Sequence, residues 1–450
     1  MSCLSLALVC GALLGPPERV TAFVDVTVIP MDRERSIPNQ TVVVRGDRIV
    51  EIGPAARVKV PEGGVRVDAR GKYLMPGLAE MHAHIPGGQA PDSVVERTLL
   101  LYVSGGITTV RGMLGHPRHL ELRSRAARGE LLSPTIYTSG PSFNGKSMPT
   151  PDAAMTTVGA QKAAGYDLLK IHPGLTRTVF DSLVAAARRV GMPFAGHVPE
   201  DVGLARALEA RYATIDHLDG YLEAMLREGG PDPSESAFFG MNVANQVDEA
   251  KLAGLVQATR AAKVWNVPTQ VLMDNLALPV SAEELAARPE MRYVSAETRA
   301  QWIEAKTTML QETGSTAASA RRMIEIRRRL IKALHDAGAG LLLGSDAPQV
   351  WNVPGFSTHR ELESLVAAGL TPYQALETGT RNVATYFGTS SETGTVKQGK
   401  RADLILLDAD PLADIRNTTR RAGVMVRGRW LPQAEIQARL DRVARSVGKG

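Results

Sequence analysis

The stretch LMPGLAEMHAHIP, residues 74–86, places two histidines one residue apart, His82 and His84, in a chain that contains nine. A Pro-Gly turn and a short apolar run precede them, which is how a buried strand begins. Side chains two residues apart on a strand point to the same face, so both imidazoles should converge on one spot. Two nitrogen donors on one strand suit a transition metal, but a His-x-His pair alone is weak evidence and requires further ligands.

Seven more short apolar segments follow this one and alternate with helical stretches, which predicts a parallel sheet of βα units. In chain order the eight segments are GLAEMHAH, ITTVRGML, PTIYTSG, YDLLKIH, PFAGHVP, ATIDHL, VWNVPTQVL and GLLLGSDAP. Eight units over roughly 300 residues predict a (β/α)8 TIM barrel, whose active site lies at the C-terminal ends of its strands. We assign this barrel to residues 76–388.

Polar side chains recur at the predicted ends of these strands. A core residue would more often lie in the middle of an apolar run, and a surface residue would not recur at the same point of successive strands. The joint pattern therefore indicates a metal site. The residues are His82 and His84 on the first strand, Lys170 and His172 on the fourth, His197 on the fifth, His217 on the sixth and Asp346 on the eighth.

The two ends of the chain have a different pattern. The segments VDVTVIP, TVVVRGDRIVEIG and VRVDARGKYLMPG near the N-terminus alternate as β-strands, and GTVKQGKRADLILLDAD and AGVMVRGRWL echo them near the C-terminus. We expect residues 23–75 and 389–450 to form one small β-sandwich domain beside the barrel. The fold class is therefore α/β.

Residues 1–22 begin with the apolar run MSCLSLALVCGALLG, which has the length of a signal peptide and is too short for a stable membrane span. We expect export to the periplasm or medium. Because the run lacks an early Lys or Arg, a cytoplasmic location is the alternative if the segment is not processed. Both cysteines, Cys3 and Cys10, lie in it, so the ligands of any metal in a processed chain must come from His, Asp, Glu or modified Lys.

The charge pattern argues against a nucleic-acid partner. The net charge of +5 is small for 450 residues, and the densest basic run, ARRMIEIRRRLIKALHDAG, has apolar residues at helical spacing. It predicts a solvated helix face, and no aromatic platform for bases accompanies it. We expect a small-molecule substrate and no nucleic acid, and a homo-oligomer is left open.

These motifs resemble the metal-dependent amidohydrolase superfamily, within it the branch of imidazolonepropionase-like proteins, Xaa-Pro dipeptidases and ochratoxin-type amidases. The resemblance covers nearly the whole chain after the leader. It rests on MPGLAEMHAH, GITTVRG, GYDLLKI, GHVP, IDHLDG, GSDAP and the closing segment GTVKQGKRADLILLDADPLADI. The loop GPSFNGKSMPTPD after the third strand departs from many relatives, so the resemblance does not specify a substrate.

The resemblance implies a centre of two divalent metal ions, with zinc expected. His82, His84 and Asp346 would hold one ion, His197 and His217 the other. Lys170, carboxylated by CO2 to a carbamate, would bridge them; the alternative is a lysine that only pairs with a carboxylate. A metal-bridging hydroxide would attack the substrate, and Asp346 would move the proton.

The expected reaction is hydrolysis of amide C–N bonds in small substrates such as Xaa-Pro dipeptides or N-acyl amino acids. The alternatives are hydrolysis of a lactone, ester or cyclic amide, or deamination, on the same centre, and a non-catalytic scaffold with the amidohydrolase fold. Four further residues are candidates for substrate binding, each with a structural role as the alternative: His172, Tyr221, Arg111 and His359.

Overall fold

The computed structural model describes residues 19–237 and 239–448. Most of the predicted signal peptide lies outside these residues. The strands are β1 (Val20–Val28), β2 (Ile37–Arg45), β3 (Arg48–Pro54), β4 (Val65–Asp68), β5 (Tyr73–Pro76), β6 (Leu78–Ala83), β7 (Ile107–Gly112), β8 (Thr135–Thr138), β9 (Leu169–Ile171), β10 (Phe194–Gly196), β11 (Thr214–Asp216), β12 (Trp265–Val267), β13 (Leu404–Leu407), β14 (Arg421–Val426) and β15 (Arg429–Pro432).

The α-helices of the same residues alternate with the middle strands and then continue to the C-terminus. They are α1 (Asp92–Ser104), α2 (Pro117–Ala127), α3 (Pro151–Ala164), α4 (Arg177–Val190), α5 (Gly203–Ala210), α6 (Tyr221–Ala224), α7 (Leu252–Ala262), α8 (Gln270–Ala277), α9 (Ala282–Ala286), α10 (Ala296–Glu312), α11 (Ala317–Asp336), α12 (Ser357–Ala367), α13 (Pro372–Thr378), α14 (Arg381–Tyr386) and α15 (Gln433–Val447).

Strands β6 to β12 form the parallel wall of a barrel. Strands β6, β7 and β8 make one parallel sheet, and β9, β10, β11 and β12 make another. Parallel bridges between Ser139 and Leu168 and between Phe143 and Ile171 join the two sheets. The predicted barrel is confirmed in its first seven strands.

The eighth barrel segment closes the wall without forming a regular strand. Leu341 bridges to Asn266 of β12, and Ala347 bridges to Ala83 of β6, both in parallel. The Met81 amide also donates to the Leu343 carbonyl at 2.8 Å. The segment therefore supplies Asp346 at the same rim as the ends of β6 and β12.

Local sequence signals set the ends of the helices that follow the strands. Thr176 accepts a hydrogen bond from the Val179 amide at the start of α4, and Gly191 ends that helix in the left-handed conformation. Thr150 and Gly165 have the same roles for α3, which also begins with a proline. Such caps satisfy the end groups that a helix leaves unpaired and return the chain to the next strand.

The two ends of the chain meet in one eight-stranded sheet in the order β15-β14-β13-β5-β1-β2-β3, with β4 paired to β1. The prediction of a β domain built from both termini is confirmed. Its strands are hydrogen-bonded into a single sheet because β1 pairs with β2 along one edge and with β4 and then β5 along the other. Apolar side chains pack on both faces, among them Phe23 and Val26 on one and Ala22 and Val43 on the other.

The structure extends the β domain toward the N-terminus. Val20, Thr21 and Ala22 belong to β1 and pair with Arg45, Val44 and Val43 of β2. The predicted boundary at residue 22 therefore falls inside a strand, because a sequence pattern does not show which residues of an apolar run pair with a partner strand. The division of the chain into residues 23–75, 76–388 and 389–450 is otherwise kept as a proposal.

No helix among the described residues is long and apolar enough to cross a membrane. The basic run lies on α11, where apolar residues such as Met323, Ile324 and Leu330 face the core. Arg327 departs from the predicted solvated face, because it is fully buried in the same helix. Arg327 therefore belongs to the protein interior and not to the solvated face of the helix.

Candidate metal centre

The carboxyl ends of four barrel strands and the eighth segment bring the predicted ligands together. His82 lies in β6, His84 follows it, and Lys170 lies in β9. His197 and His217 directly follow β10 and β11. Asp346 comes from the closing segment. We refer to these side chains as the metal centre: His82, His84, Lys170, His197, His217 and Asp346.

One group of candidate ligand atoms is compact. Donor atoms of His82, His217 and Asp346 all lie within 4.8 Å of one another. His84 joins this group, because its Nε2 lies 2.6 Å from Oδ1 of Asp346. The ring of His197 is 4.6 Å from that of His217, measured between centroids. All five predicted imidazole and carboxylate ligands therefore share one rim of the barrel.

Lys170 lies at the bottom of this arrangement and is fully buried. Its Nζ is 3.4 Å from Nε2 of His82, and among the described residues no carboxylate lies within ion-pair distance of it. Burial is the main reason why the pKa of Lys170 falls to about 8, although Asp216 and Asp346 oppose the shift. The predicted alternative, a lysine that only pairs with a carboxylate, is therefore not what the geometry shows.

Gly196 permits the close approach of β10 to this lysine. The glycine has a φ of 124°, and a Cβ there would lie 2.4 Å from the Ile171 carbonyl oxygen and 2.9 Å from Cδ of Lys170. Any other residue would therefore push β10 away from β9. The glycine before His197 keeps this imidazole beside the lysine.

His82 is oriented from behind by a buried chain of charged groups. Its Nδ1 lies 2.9 Å from Oδ2 of Asp216, and Oδ1 of Asp216 accepts a hydrogen bond from Nη2 of Arg111 at 3.2 Å. Arg111 also donates to the Met81 carbonyl and to the Thr214 and Tyr386 hydroxyls, and it is fully buried. Arg111 is therefore saturated by protein acceptors, which corrects its prediction as a substrate anchor: it positions Asp216 and hence His82.

His197 and His217 have partners of their own. Nδ1 of His197 lies 3.1 Å from Oδ2 of Asp219, which also accepts from the Val198 amide. Nδ1 of His217 lies 2.8 Å from the Thr269 hydroxyl. These contacts fix one nitrogen of each ring and leave Nε2 for a metal, as in known histidine ligands.

The imidazoles meet the protonation requirement of metal ligands. Burial first, and then the charge of Lys170, lowers the pKa of His197 to about 3 and that of His82 well below its ordinary value. Burial and the neighbouring His82 lower the pKa of His217 in the same direction. Neutral imidazoles beside a carboxylate are a donor set that fits a divalent transition metal.

The backbone is unusual where the last ligands are placed. His217 and Asp346 both have a positive φ, 64° and 65°. Non-glycine residues rarely adopt this conformation, and it is retained where the surroundings over-determine it. At His217 the carbonyl accepts a hydrogen bond from Nη1 of the buried Arg327 at 2.6 Å.

Glu80 braces the segment that carries Asp346. This fully buried carboxylate accepts hydrogen bonds from the Ser345 amide and hydroxyl, both at 2.6 Å, and from the Thr358 hydroxyl at 2.8 Å. It thereby ties β6 to the closing segment one residue before Asp346. Burial raises the pKa of Glu80 to about 7, and the three donors oppose that shift.

His172 lies at the rim of the metal centre, as its prediction requires. Its ring stacks on His197 with 5.1 Å between centroids. It lines a cavity of about 320 Å³ that also exposes His82, His84, His217 and Asp346. It is partly exposed and can contact a bound molecule.

Two predicted substrate-binding residues lie elsewhere, and both predictions are corrected. The hydroxyl of Tyr221 is 2.8 Å from that of Thr259, in the fully buried contact between α6 and α7. Nε2 of His359 lies 2.7 Å from the carbonyl of Gly105, which precedes β7 at the end of the barrel opposite the metal centre. Each side chain lies on a helix and faces the interior, where its polar group already has a protein partner.

Sequence reasoning missed the residues that hold the ligands in place. These are Glu80, Asp216, Asp219, Thr269 and Arg327. Glu80 and the two aspartates had a signal, because each lies within three residues of a predicted ligand in AEMHAH or TIDHLDG. Thr269 and Arg327 had none, since only the folded chain brings them to His217.

Comparison with known proteins is consistent with this geometry. Residues 73–431 match the amidohydrolase family. An imidazolonepropionase from Symbiobacterium thermophilum is 25% identical over 429 residues, covering 88% of each chain. A protein named as a prolidase, from Bifidobacterium longum, has a similar structure with a TM-score of 0.68 and 24% identity over 95% of this chain and all of that one. Bottromycin amidohydrolase gives a TM-score of 0.70 at 21% identity over 97% and 92% of the two chains.

Proposed function

Because the chain belongs to the amidohydrolase family, we propose that it hydrolyses amide C–N bonds of small substrates at a centre of two divalent metal ions. The observation that carries the proposal is the convergence of His82, His217 and Asp346 donor atoms within 4.8 Å. That group contains ligands of both proposed ions, as expected where two ions lie side by side.

The proposed ligands divide between the two ions. His82, His84 and Asp346 would hold one, and His197 and His217 the other, with zinc as the expected metal. Neutral imidazole and carboxylate donors suit zinc and also accept other first-row metals. When bound, two such ions supply Lewis acidity toward a carbonyl oxygen and make water a better nucleophile at neutral pH.

Lys170 would bridge the ions as a carbamate. Its neutral amine attacks CO2, an N–C bond forms, and the amine proton is lost to solvent, which leaves an anion with two oxygen donors. The burial of Nζ, its 3.4 Å contact with His82 and the lack of a carboxylate at ion-pair distance among the described residues all support this modification. An ammonium ion beside two dications would be repelled.

Asp346 would act as the proton carrier of the reaction. Its carboxylate takes a proton from the attacking water and passes one to the leaving nitrogen, which otherwise departs poorly. Nε2 of His84 lies 2.6 Å from Oδ1, so the two side chains are adjacent, as expected of ligands of one ion. His172 stands at the rim, where it can orient the bound substrate.

A substrate panel tests the function. Xaa-Pro dipeptides, N-acyl amino acids, uncharged amides, lactones and purine bases would be offered to protein expressed with zinc and bicarbonate, and the release of amine, acid or ammonia would be measured. Turnover of amides above the other classes is the expected result. Turnover confined to lactones or to deamination would replace it with another reaction on the same centre, and inactivity on every class would favour a scaffold.

A second measurement tests the modified lysine without relying on activity. Protein prepared in ¹³C-bicarbonate should give a carbamate carbon resonance by NMR, and the Lys170→Met variant should lack it. A native protein that binds metal but gives no such resonance would contradict the bridging carbamate.

The expected export remains a proposal. It rests on residues 1–22, most of which lie outside the described structure. Because β1 begins at Val20, cleavage that preserves the sheet would lie before that residue. N-terminal sequencing of the mature protein would locate it.

A further inference from the structure

A trough crosses the carboxyl end of the barrel above the metal centre. Its central cavity, of about 320 Å³, is joined through His197 and Phe239 to a second cavity of about 520 Å³. On the other side, His84, Leu114 and Gln349 join it to a third cavity of about 460 Å³. The three cavities are therefore adjacent, and groups on either side of a molecule bound at the centre would lie near one or the other neighbouring cavity.

The wall of the central cavity is apolar apart from the metal centre, His172 and Gln349. Three of its side chains come from helices α8 and α10, and the others from loops at the rim. This wall consists of Leu114, Phe239, Leu272, Leu276, Met309 and Val350. Leu114 is among the few exposed large apolar side chains of the described chain, at 45% exposure. Such a wall favours apolar groups on a bound molecule.

The charge of the trough lining differs from that of the whole chain, which has a net charge of +5. The chain contains 52 Lys and Arg residues, but none of the described residues that line the three cavities is a lysine or an arginine. Four carboxylates line them: Glu200, Asp219, Glu223 and Asp346. Away from the proposed ions, an anionic group on a ligand would therefore meet carboxylates and no cationic side chain of the described residues.

The nearby buried guanidinium groups are already occupied. Arg111 donates to Asp216 and to neighbouring oxygens. Arg327 donates to the His217 and Pro268 carbonyls and to Gln270. Neither can turn to the trough without leaving buried acceptors unpaired, which is costly.

A carboxylate in this trough would lose its water without gaining a cation. The ions of the proposed centre are not a substitute, because they would have to face the scissile carbonyl. A carboxylate bound to them would occupy the position of that carbonyl and act as an inhibitor.

Resting on the proposed function, we propose that the substrate is an uncharged amide with apolar groups on both sides of the scissile C–N bond. Free dipeptides and N-acyl amino acids, which both carry a carboxylate, are then poor substrates. This reverses the ranking that the sequence resemblance suggests.

Three matched substrates test the proposal. N-hexanoyl-leucine carries the carboxylate, N-hexanoyl-leucinamide replaces it with a neutral group of similar size, and N-(3-methylbutyl)hexanamide lacks it. Hexanoate release reports the same bond in all three. We expect kcat/KM at least 10-fold higher for both neutral amides, including N-(3-methylbutyl)hexanamide, whose amine is a poorer leaving group than leucine. Equal or higher kcat/KM for N-hexanoyl-leucine would overturn the proposal.

Variants that add a cation to the trough sharpen the test. Val350 lines the central cavity and the exposed Ala205 lines the second cavity, so Val350→Lys and Ala205→Lys place an ammonium group on either side of the centre. At least one should reduce the preference for neutral amides 10-fold relative to its control, Val350→Met or Ala205→Met. If neither does, the lack of cations is not what selects the substrate.

Failure of the proposal can be told apart from failure of the function. Hydrolysis of N-hexanoyl-leucine in preference to the neutral amides overturns only the substrate class. If no amide is hydrolysed, the amide-hydrolase function fails. Calorimetric binding of the same three compounds then tests whether the trough prefers neutral ligands. Binding of the neutral amides at least 10-fold more tightly supports it, and equal or tighter binding of the leucine conjugate overturns it.

Discussion

The metal centre and the trough wall above it differ in how their side chains are held. Lys170, His82 and His217 are almost completely buried, and Nδ1 of His82 and of His217 lies 2.9 Å and 2.8 Å from a protein oxygen. In the wall, Leu114 is 45% exposed and Val350 is partly exposed, and both have only apolar contacts to offer. The side chains of the centre are fixed by burial and by these contacts, whereas we expect that the wall can change without disturbing them. Substitutions in the two regions should therefore have different kinetic signatures.

The largest effect is expected at Asp346. Asp346→Asn keeps an oxygen donor but removes the proton carrier, so kcat should fall by about 10²–10⁴-fold with most of the metal retained. Turnover of the best amide and elemental analysis of the same sample measure both. The exposed Asp201→Asn serves as control. Full activity in Asp346→Asn would contradict its role.

A smaller effect is expected at Asp219, which contacts the proposed ligand His197 and not a proposed ion. Removing the negative charge that faces Nδ1 of His197 should weaken metal binding by roughly 10–100-fold. Competition with a chelator gives the apparent dissociation constant. The matched control is Glu200→Gln, which changes an exposed carboxylate of the same trough. Unchanged affinity in Asp219→Asn would mean that His197 does not hold an ion.

In the wall, Met309→Ala should change substrate binding and leave the chemistry intact. The side chain lines the central cavity, and its loss should raise KM for an apolar amide by roughly 10-fold with kcat little changed. Steady-state kinetics separate the two. Thr307→Ala, on the exposed side of the same helix, is the control. A fall in kcat at constant KM would place Met309 with the metal centre instead.

The smallest effect on activity is expected at Tyr221. Its hydroxyl contacts Thr259 within the core, so Tyr221→Phe should lower the free energy of unfolding by roughly 1 kcal/mol without altering turnover. Chemical denaturation and steady-state kinetics test this together. A raised KM with unchanged stability would restore the tyrosine as a substrate-binding residue.

The barrel and the convergence of the proposed ligands at one rim could be predicted from the sequence because each signal is local. His82 and His84 are two residues apart, and so are Lys170 and His172. Side chains two residues apart on a strand point to the same face. The parallel barrel then aligns all strand ends at one rim. Pairwise contacts between distant segments, such as Arg327 with His217, have no local signal.

The apolar wall of the trough could not be predicted from the sequence. The seventh barrel segment, VWNVPTQVL, shows the physical reason. The apolar pattern of VWNVPTQVL predicts one strand, but β12 ends at Val267 and α8 begins at Gln270. A short apolar run is compatible with either structure. Leu272 and Leu276 therefore lie on a helix over the metal centre, and the apolar character of the trough becomes visible only in the folded chain.

The number of bound metal ions tests the central claim most directly. Elemental analysis of protein expressed with zinc and bicarbonate should give two ions per chain, and Lys170→Met should bind at most one, since the bridge between the ions is lost. A folded native protein that binds no metal, or a Lys170→Met variant that still binds two ions, would contradict the account of these side chains as a two-metal centre.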